Sequence, residues 1–179
     1  CGTCPSCAEG RPALCEPGAA ANRDGVLLSG ERRLSRFDSP VNHHLGVSGF
    51  AEYATVSRRS VVKVDRDLPL QQAALFGCAV LTGVGSALNG AHISPGDSVA
   101  VIGLGGVGMA ALLGARAAGA ERIVAIDVAP AKLELARQFG ATDTFLATGE
   151  RVDEAVREAT GGGVKHALEL AGAASALAL

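Results

Sequence analysis

The sequence predicts an α/β fold: a doubly wound parallel sheet, covered by helices on both faces, fills the second half behind a loop-rich segment that lacks an apolar core. Three observations carry this. From Val99 onward, short apolar runs alternate with amphipathic helical stretches, as expected when strands are buried on both faces. A glycine-rich turn, Gly103-Leu-Gly-Gly-Val-Gly108, joins the first strand to the first helix. Four cysteines, Cys1, Cys4, Cys7 and Cys15, open a stretch with little hydrophobic periodicity.

With 179 residues, 48% of them apolar, and a formal charge of -2, the chain can bury one large core or two modest ones. No basic cluster interleaves with aromatics, so the sequence has no electrostatic footprint for nucleic acid or an anionic membrane. The expected partners are small molecules or other subunits, in the cytoplasm. Two uncharged runs, Leu68 to Gly96 and Ser98 to Ala115, have the length of membrane spans. Gln71, Gln72, Thr82, Ser86, Asn89 and His92 dilute the first, and both are rich in Gly and Ala, which suits buried helix and buried strand better. No signal peptide is visible at Cys1, the sole methionine is Met109, and Leu179 ends an Ala-rich stretch without a stop signal. The chain therefore reads as an internal fragment.

Taken in order, the first forty or so residues read as a loop that a metal would order. Gly49 to Val56 and Ser60 to Val64 read as short strands around a turn at Ser57 to Arg59. A helical stretch runs from Leu70 to about Ala91, and Ser94 to Asp97 makes a turn. A domain junction near Cys78 separates residues 1–78 from 79–179. Strand Val99 to Ile102, helix Gly106 to Ala118, strand Arg122 to Ile126 and a helix from Ala131 to Phe139, stopped by Gly140, follow. Strand Thr144 to Ala147 leads to a helix with Val152, Ala155, Val156 and Ala159 at helical spacing, stopped by Gly161 to Gly163; strand Lys165 to Leu170 comes last. Four strands are legible.

The turn is G-x-G-x-x-G in the context that gives the pattern meaning, directly after an apolar strand and opening a helix. Gly103 permits the tight turn, Gly105 lets backbone approach a pyrophosphate, and Gly108 lets helix and strand pack closely. Gly106 and Val107 begin a helix whose N–H groups face the phosphates. Asp127 stands at the carboxyl end of the second strand, where an acid accepts hydrogen bonds from the adenosine ribose. Val128-Ala-Pro130 supplies no Arg for a 2′-phosphate, so NAD is expected over NADP. An ordinary βα turn whose Asp127 caps the next helix is the alternative. Lys132 either adds a ribose contact or is a solvated surface lysine.

The cysteines follow C-x2-C-x2-C-x7-C, a set that can close a tetrahedron around Zn²⁺ and order a segment with no core of its own. Disulfides and an iron–sulfur cluster are the alternatives. Four protein ligands leave no open position, so this zinc would be structural. Periodicity alone makes Cys78 a buried core cysteine.

Together, the cysteine cluster, Gly49-Phe-Ala-Glu-Tyr53, Gly77-Cys-Ala-Val-Leu-Thr-Gly-Val-Gly85 and the glycine turn resemble the zinc-containing alcohol dehydrogenases of the medium-chain family. The resemblance implies a GroES-like catalytic domain with a structural-zinc lobe, here only its C-terminal part, joined to a Rossmann domain, here only its N-terminal part. It places Cys1, Cys4, Cys7 and Cys15 on the lobe zinc and Cys78 as the last protein ligand of a catalytic zinc. Thr82 and Val107 match the lining of the nicotinamide pocket, and Asp127 and Lys132 the ribose contacts. NAD and two zinc ions are the implied cofactors, an alcohol or aldehyde the substrate, and a homo-oligomer the assembly. The remaining catalytic ligands and proton relay match nothing in this sequence. His43, His44, His92 and His166 lie in no matching motif and read as surface or loop histidines. Cys78 favours alcohol substrates over the polyol and threonine branches.

Overall fold

The computed structural model describes residues 1–47, 49–148 and 151–177. The chain forms two compact units, Cys1–Val64 and Asp65–Leu179. The division falls before the junction expected near Cys78, because the helix carrying Cys78 packs on a helix of the second unit.

In the first unit the cysteine segment is mostly loop, with two short helices, α1 (Pro5–Ala8) and α2 (Glu16–Asp24). Gly25 ends α2 in the left-handed conformation, φ 66°. An antiparallel hairpin that the sequence did not announce pairs β1 (Leu34–Arg36) with β2 (Ser39–Val41). Its turn holds Phe37 and Asp38 at φ 48° and 63°, the left-handed pair that a two-residue hairpin turn requires. His43, expected at the surface, is buried. Its N–H donates to the Gly25 carbonyl at 3.0 Å, and its Nε2 accepts the Arg33 N–H at 3.1 Å, so it ties the end of α2 to the hairpin. The strands expected at Gly49 to Val56 and Ser60 to Val64 do not form among the described residues. Phe50, Tyr53 and Val62 are exposed, and a strand with no neighbour to pair has no ladder to hold it. The turn expected between those strands at Ser57 to Arg59 does form, as a 3₁₀ turn over Arg58–Ser60.

The second unit is the predicted parallel sheet, β3 (Ser98–Ile102), β4 (Arg122–Asp127), β5 (Asp143–Leu146) and β6 (His166–Glu169), in the order β5-β4-β3-β6. Alternation along each strand decides which face its side chains cover. Val99, Val101, Ile123 and Ala125 pack with Ala111, Leu112 and Ala115 of α5 (Gly106–Ala117) and Leu133 and Ala136 of α6 (Pro130–Phe139). Ala100, Ile102, Val124 and Ile126 pack on the other face with Val152 and Val156 of α7 (Val152–Thr160). Both faces are covered, as a doubly wound sheet requires. The chain leaves β5 at one edge and re-enters at β6 on the far side of β3, which makes the carboxyl ends of β3 and β6 the switch point.

At the opposite end of these strands, Asp97 is buried. It accepts from Lys165 Nζ at 2.6 Å and from the Ser94 N–H at 2.9 Å, and lies 2.9 Å from His166 Nε2. The Lys165 ammonium, then the Ser94 N–H and His166, hold its carboxyl well below the ordinary range. His166, expected at the surface, thus belongs to a clamp joining β3 to β6.

The helical run Leu70–Gly90 contains α3 (Leu70–Leu75) and α4 (Leu81–Gly85), each followed by a π-helical stretch. By length and composition it could cross a membrane. The sequence suggests a buried helix, but only one narrow face is covered: Gly83 and Ala87 are buried, while Leu70, Leu75, Phe76 and Leu81 are exposed.

Candidate functional site

The glycine turn lies at the switch point, and its glycines are required by contacts that can be named. Gly103 has φ 89°, and a Cβ there would lie 2.5 Å from the Ala171 nitrogen, just beyond β6. A Cβ on Gly108 would come within 1.9 Å of the Gly103 carbonyl oxygen, so helix and turn meet backbone to backbone. Gly105 precedes α5 and faces open space, and no side chain caps the helix. The N–H groups at that end stay available for an anion. Beside the turn is a cavity of about 570 Å³, lined among others by Gly103, Leu104, Gly105, Asp127, Lys132 and Ala171.

Asp127 is 6% exposed and ends β4 against this cavity. Its Oδ2 accepts the Leu104 N–H at 2.7 Å, and its Oδ1 accepts the Ala129 N–H at 2.9 Å. Lys132 Nζ lies 3.3 Å from Oδ2. Burial alone would raise this carboxyl, but the Leu104 and Ala129 N–H groups and the Lys132 ammonium outweigh it and hold the group below its usual value. Asp127 therefore fixes the glycine turn as well as presenting a charged oxygen to the cavity. It also accepts the Ala129 N–H in a local turn, but no side chain caps α6, so Asp127 is not the cap of that helix. Lys132 is exposed on α6 and at the same time pairs with Asp127.

In the first unit, one sulfur from each of Cys1, Cys4, Cys7 and Cys15 lies within 4.8 Å of the other three. All four are free thiols. A zinc tetrahedron with Zn–S of about 2.3 Å has edges of about 3.8 Å, so the set fits the ion after a contraction of about 1 Å. The Cys4 N–H points at Cys1 Sγ (3.4 Å) and the Gly18 N–H at Cys15 Sγ (3.3 Å). A backbone hydrogen bond from Gly2, aided by the neighbouring thiols, lowers the Cys7 thiol.

Cys78 is exposed on the π-helical stretch Phe76–Val80, not in a core. Periodicity missed this because the run has only one covered face. Such bulges are frequent at functional sites. Thr82 is exposed one turn further on, its carbonyl accepting the Ser86 hydroxyl at 2.7 Å. Val107 is half-buried in the first turn of α5. Ala79, next to Cys78, faces Gly106: a Cβ on Gly106 would be 3.4 Å from the Ala79 Cβ. Gly83, part of the Gly77–Gly85 motif but given no role from the sequence, fills the crossing. A Cβ there would lie 2.2 Å from the Val107 carbonyl oxygen, 2.6 Å from Ala110 Cβ and 2.7 Å from the Ala111 nitrogen. The small pair Gly83 and Ala87, one turn apart, was the available signal.

The sequence model of the zinc-binding dehydrogenase family matches residues 106–179. S-(hydroxymethyl)glutathione dehydrogenases of Synechocystis sp. and Photobacterium damsela subsp. piscicida are 42% and 41% identical over 174 residues, in each case 96% of this chain and 47% of the relative. Among solved structures, an alcohol dehydrogenase zinc-binding domain protein from Burkholderia ambifaria superposes with TM-score 0.89 at 38% identity, and benzyl alcohol dehydrogenase from Acinetobacter calcoaceticus with TM-score 0.87 at 36%. The alignments cover 99% of this chain and 48% of each of those chains. The chain spans about half the length of the relatives it matches. With the glycine turn, the cysteine cluster and the sheet order in the same chain, it is similar over nearly its whole length to zinc-containing alcohol dehydrogenases.

Proposed function

We propose that the protein catalyses the reversible, NAD-linked and zinc-dependent oxidation of a primary or secondary alcohol to an aldehyde or ketone. The observation that carries this is the glycine turn, tied by Asp127 at the switch point and packed against the helix that bears Cys78. Asp127 and Lys132 hold the adenosine ribose, and the backbone of Gly103, Gly105, Gly106 and Gly108 takes the pyrophosphate. Thr82 and Val107 line the nicotinamide end. A carboxylate held charged by two N–H groups and an ammonium accepts from ribose hydroxyls and repels a 2′-phosphate, which selects NAD over NADP.

Cys78 serves as one ligand of the catalytic zinc, and Cys1, Cys4, Cys7 and Cys15 hold the structural one. Bound zinc supplies Lewis acidity toward the alcohol oxygen, and bound NAD accepts the hydride. The chain's own work is to orient the nicotinamide, present the Cys78 thiolate and hold the lobe in shape. A catalytic zinc needs three protein ligands and only Cys78 matches one here, so residues 1–179 alone are expected not to turn over. The first unit forms part of a GroES-like domain, and the assembly is a cytoplasmic homo-oligomer acting on small molecules rather than nucleic acid or membrane.

Two substrate classes have support from relatives: glutathione adducts, from the S-(hydroxymethyl)glutathione dehydrogenases, and aryl alcohols, from the benzyl alcohol dehydrogenase. The test follows NADH formation by the zinc-loaded full-length protein with S-(hydroxymethyl)glutathione, benzyl alcohol and simple aliphatic alcohols. No NADH with any of them overturns the proposal.

A further inference from the structure

The seam between the helical run Leu70–Gly90 and α5 is closer than packing through side chains permits. Helices in contact normally keep their axes about 8–10 Å apart. Along this seam no side chain intervenes at Gly83 or Gly114. A Cβ on Gly83 would meet the Val107 carbonyl oxygen at 2.2 Å, and a Cβ on Gly114 would meet both Ala87 Cβ and Val84 Cα at 3.1 Å. Ala79 approaches Gly106 at the end nearest the turn. The contacts thus run from Gly106, at the edge of the glycine turn, through Val107, Ala110 and Ala111, to Gly114. On the opposing helix they run from Ala79 through Gly83 to Ala87.

What this seam connects is more telling than its closeness. Cys78 is adjacent to Ala79, and Thr82 is adjacent to Gly83. The carbonyl that excludes a side chain at Gly83 belongs to Val107, in the first turn of the helix whose N-terminus faces the cavity. Except along this seam the helical run is largely uncovered, with Leu75, Phe76 and Leu81 exposed. Its position relative to the glycine turn therefore depends on the seam.

We propose that Gly83 is a positioning residue: by having no side chain it locks the Cys78–Thr82 segment onto the first turn of α5, so that dinucleotide bound at the glycine turn stiffens the segment that carries the thiol. The proposal rests on the dinucleotide reading of the turn. A methyl at position 83 forces the two backbones apart by about 1 Å, since 2.2 Å must become at least ~3.2 Å for a carbon and an oxygen in contact. The segment then moves independently of the turn.

The test uses the 1–179 chain and ADP-ribose, which has the adenosine and pyrophosphate of the cofactor but no nicotinamide to shield that segment directly. Binding is measured by calorimetry, and hydrogen exchange of the helical backbone amides of residues 78–82 is followed by peptide-resolved mass spectrometry. Saturating ADP-ribose is expected to slow that exchange at least ~threefold in the parent chain, as local opening is suppressed. In Gly83→Ala the protection falls below ~1.5-fold while ADP-ribose still binds. Gly114→Ala, whose Cβ needs only a few tenths of an ångström at the far end of the seam, gives intermediate protection and serves if Gly83→Ala does not fold. Val156→Ala, on the opposite face of the sheet, lowers stability and leaves the protection unchanged. Binding without protection in the parent, or full protection in both glycine variants, overturns the coupling alone. Failure of the parent to bind ADP-ribose overturns the dinucleotide reading and the coupling with it.

Discussion

Replacing Asp127 with Asn keeps its shape and removes its charge, and the structure sets what that costs. The carboxylate serves two backbone donors on different oxygens, Leu104 N–H on Oδ2 and Ala129 N–H on Oδ1. Asparagine has one acceptor oxygen, so its amide nitrogen must face the other N–H, leaving a buried donor unpaired at about 1–3 kcal/mol. Loss of the half-exposed Lys132 pair adds up to about 1 kcal/mol. The sum, about 1–4 kcal/mol, corresponds to a fall in Tm of roughly 2–16 °C at this chain size. The sign with pH is fixed by the carboxyl being held below its usual value in the folded chain. Its contribution is complete above the unfolded pKa of about 3.9 and is lost as pH falls toward the folded value, so the difference between parent and variant shrinks in acid. Urea unfolding at neutral pH and again at pH ~3, below the unfolded value, with NAD and NADP titrations alongside, measures both roles. A loss below about 0.5 kcal/mol at neutral pH, together with an unchanged NAD-to-NADP preference, would refute the assignment of Asp127 as the tie between turn and ribose site.

Other perturbations separate the parts of the molecule. Gly108→Ala puts a methyl 1.9 Å from the Gly103 carbonyl oxygen, and the backbone shift it forces should cost at least ~1–3 kcal/mol and abolish NADH binding, read by nucleotide fluorescence. Cys4→Ser should release the one zinc held by the first unit and with it the order of residues 1–64, seen as loss of bound metal by elemental analysis and of amide protection in that unit alone. In acid, Asp97 should show the same sign as Asp127: its clamp with Lys165 and His166 persists above the ordinary carboxylate range and weakens as pH falls below it. Asp97→Asn should therefore flatten the acid limb of the stability curve. Phe37→Asn with Asp38→Gly should stabilise the hairpin by about 1 kcal/mol, since both positions need a left-handed backbone that Asn and Gly adopt more cheaply. Thermal unfolding of the zinc-loaded chain measures it.

Elements whose pattern is set by local chemistry were legible in the sequence. The four parallel strands and α5, α6 and α7 follow from alternation and helical periodicity, with Gly140 and Gly161 ending helices at φ 112° and 72°. The two segments read as strands at Gly49 to Val56 and Ser60 to Val64 have the same apolar character and still form none among the described residues. A strand is defined by its neighbour, and propensity supplies no neighbour. The hairpin β1–β2 was illegible for the converse reason. Its turn is Phe-Asp where Asn-Gly would have signalled it, and the interactions that hold it, His43 to Gly25 and Arg33, bring together residues far apart in sequence.

The same distinction runs through the site. The Cys1, Cys4, Cys7 and Cys15 set and the glycine turn could be read because zinc coordination and phosphate approach each demand particular residue types at close spacing. What could not be read is the partner of each group across the fold. Periodicity alone assigns Cys78 to a core, yet the structure has it exposed; the residue that holds its segment is Gly83, whose requirement becomes visible only when Val107 is brought opposite it. The place of Asp127 at the end of a strand was legible, whereas its bond to Leu104 depends on β3 and β4 lying side by side in the sheet. A ligand type is thus written locally, but the rigidity that makes a ligand selective is written in contacts between elements. Substitutions at Asp127 and Gly83 should therefore alter cofactor discrimination and the amide protection of residues 78–82, respectively, more than their modest chemical change suggests.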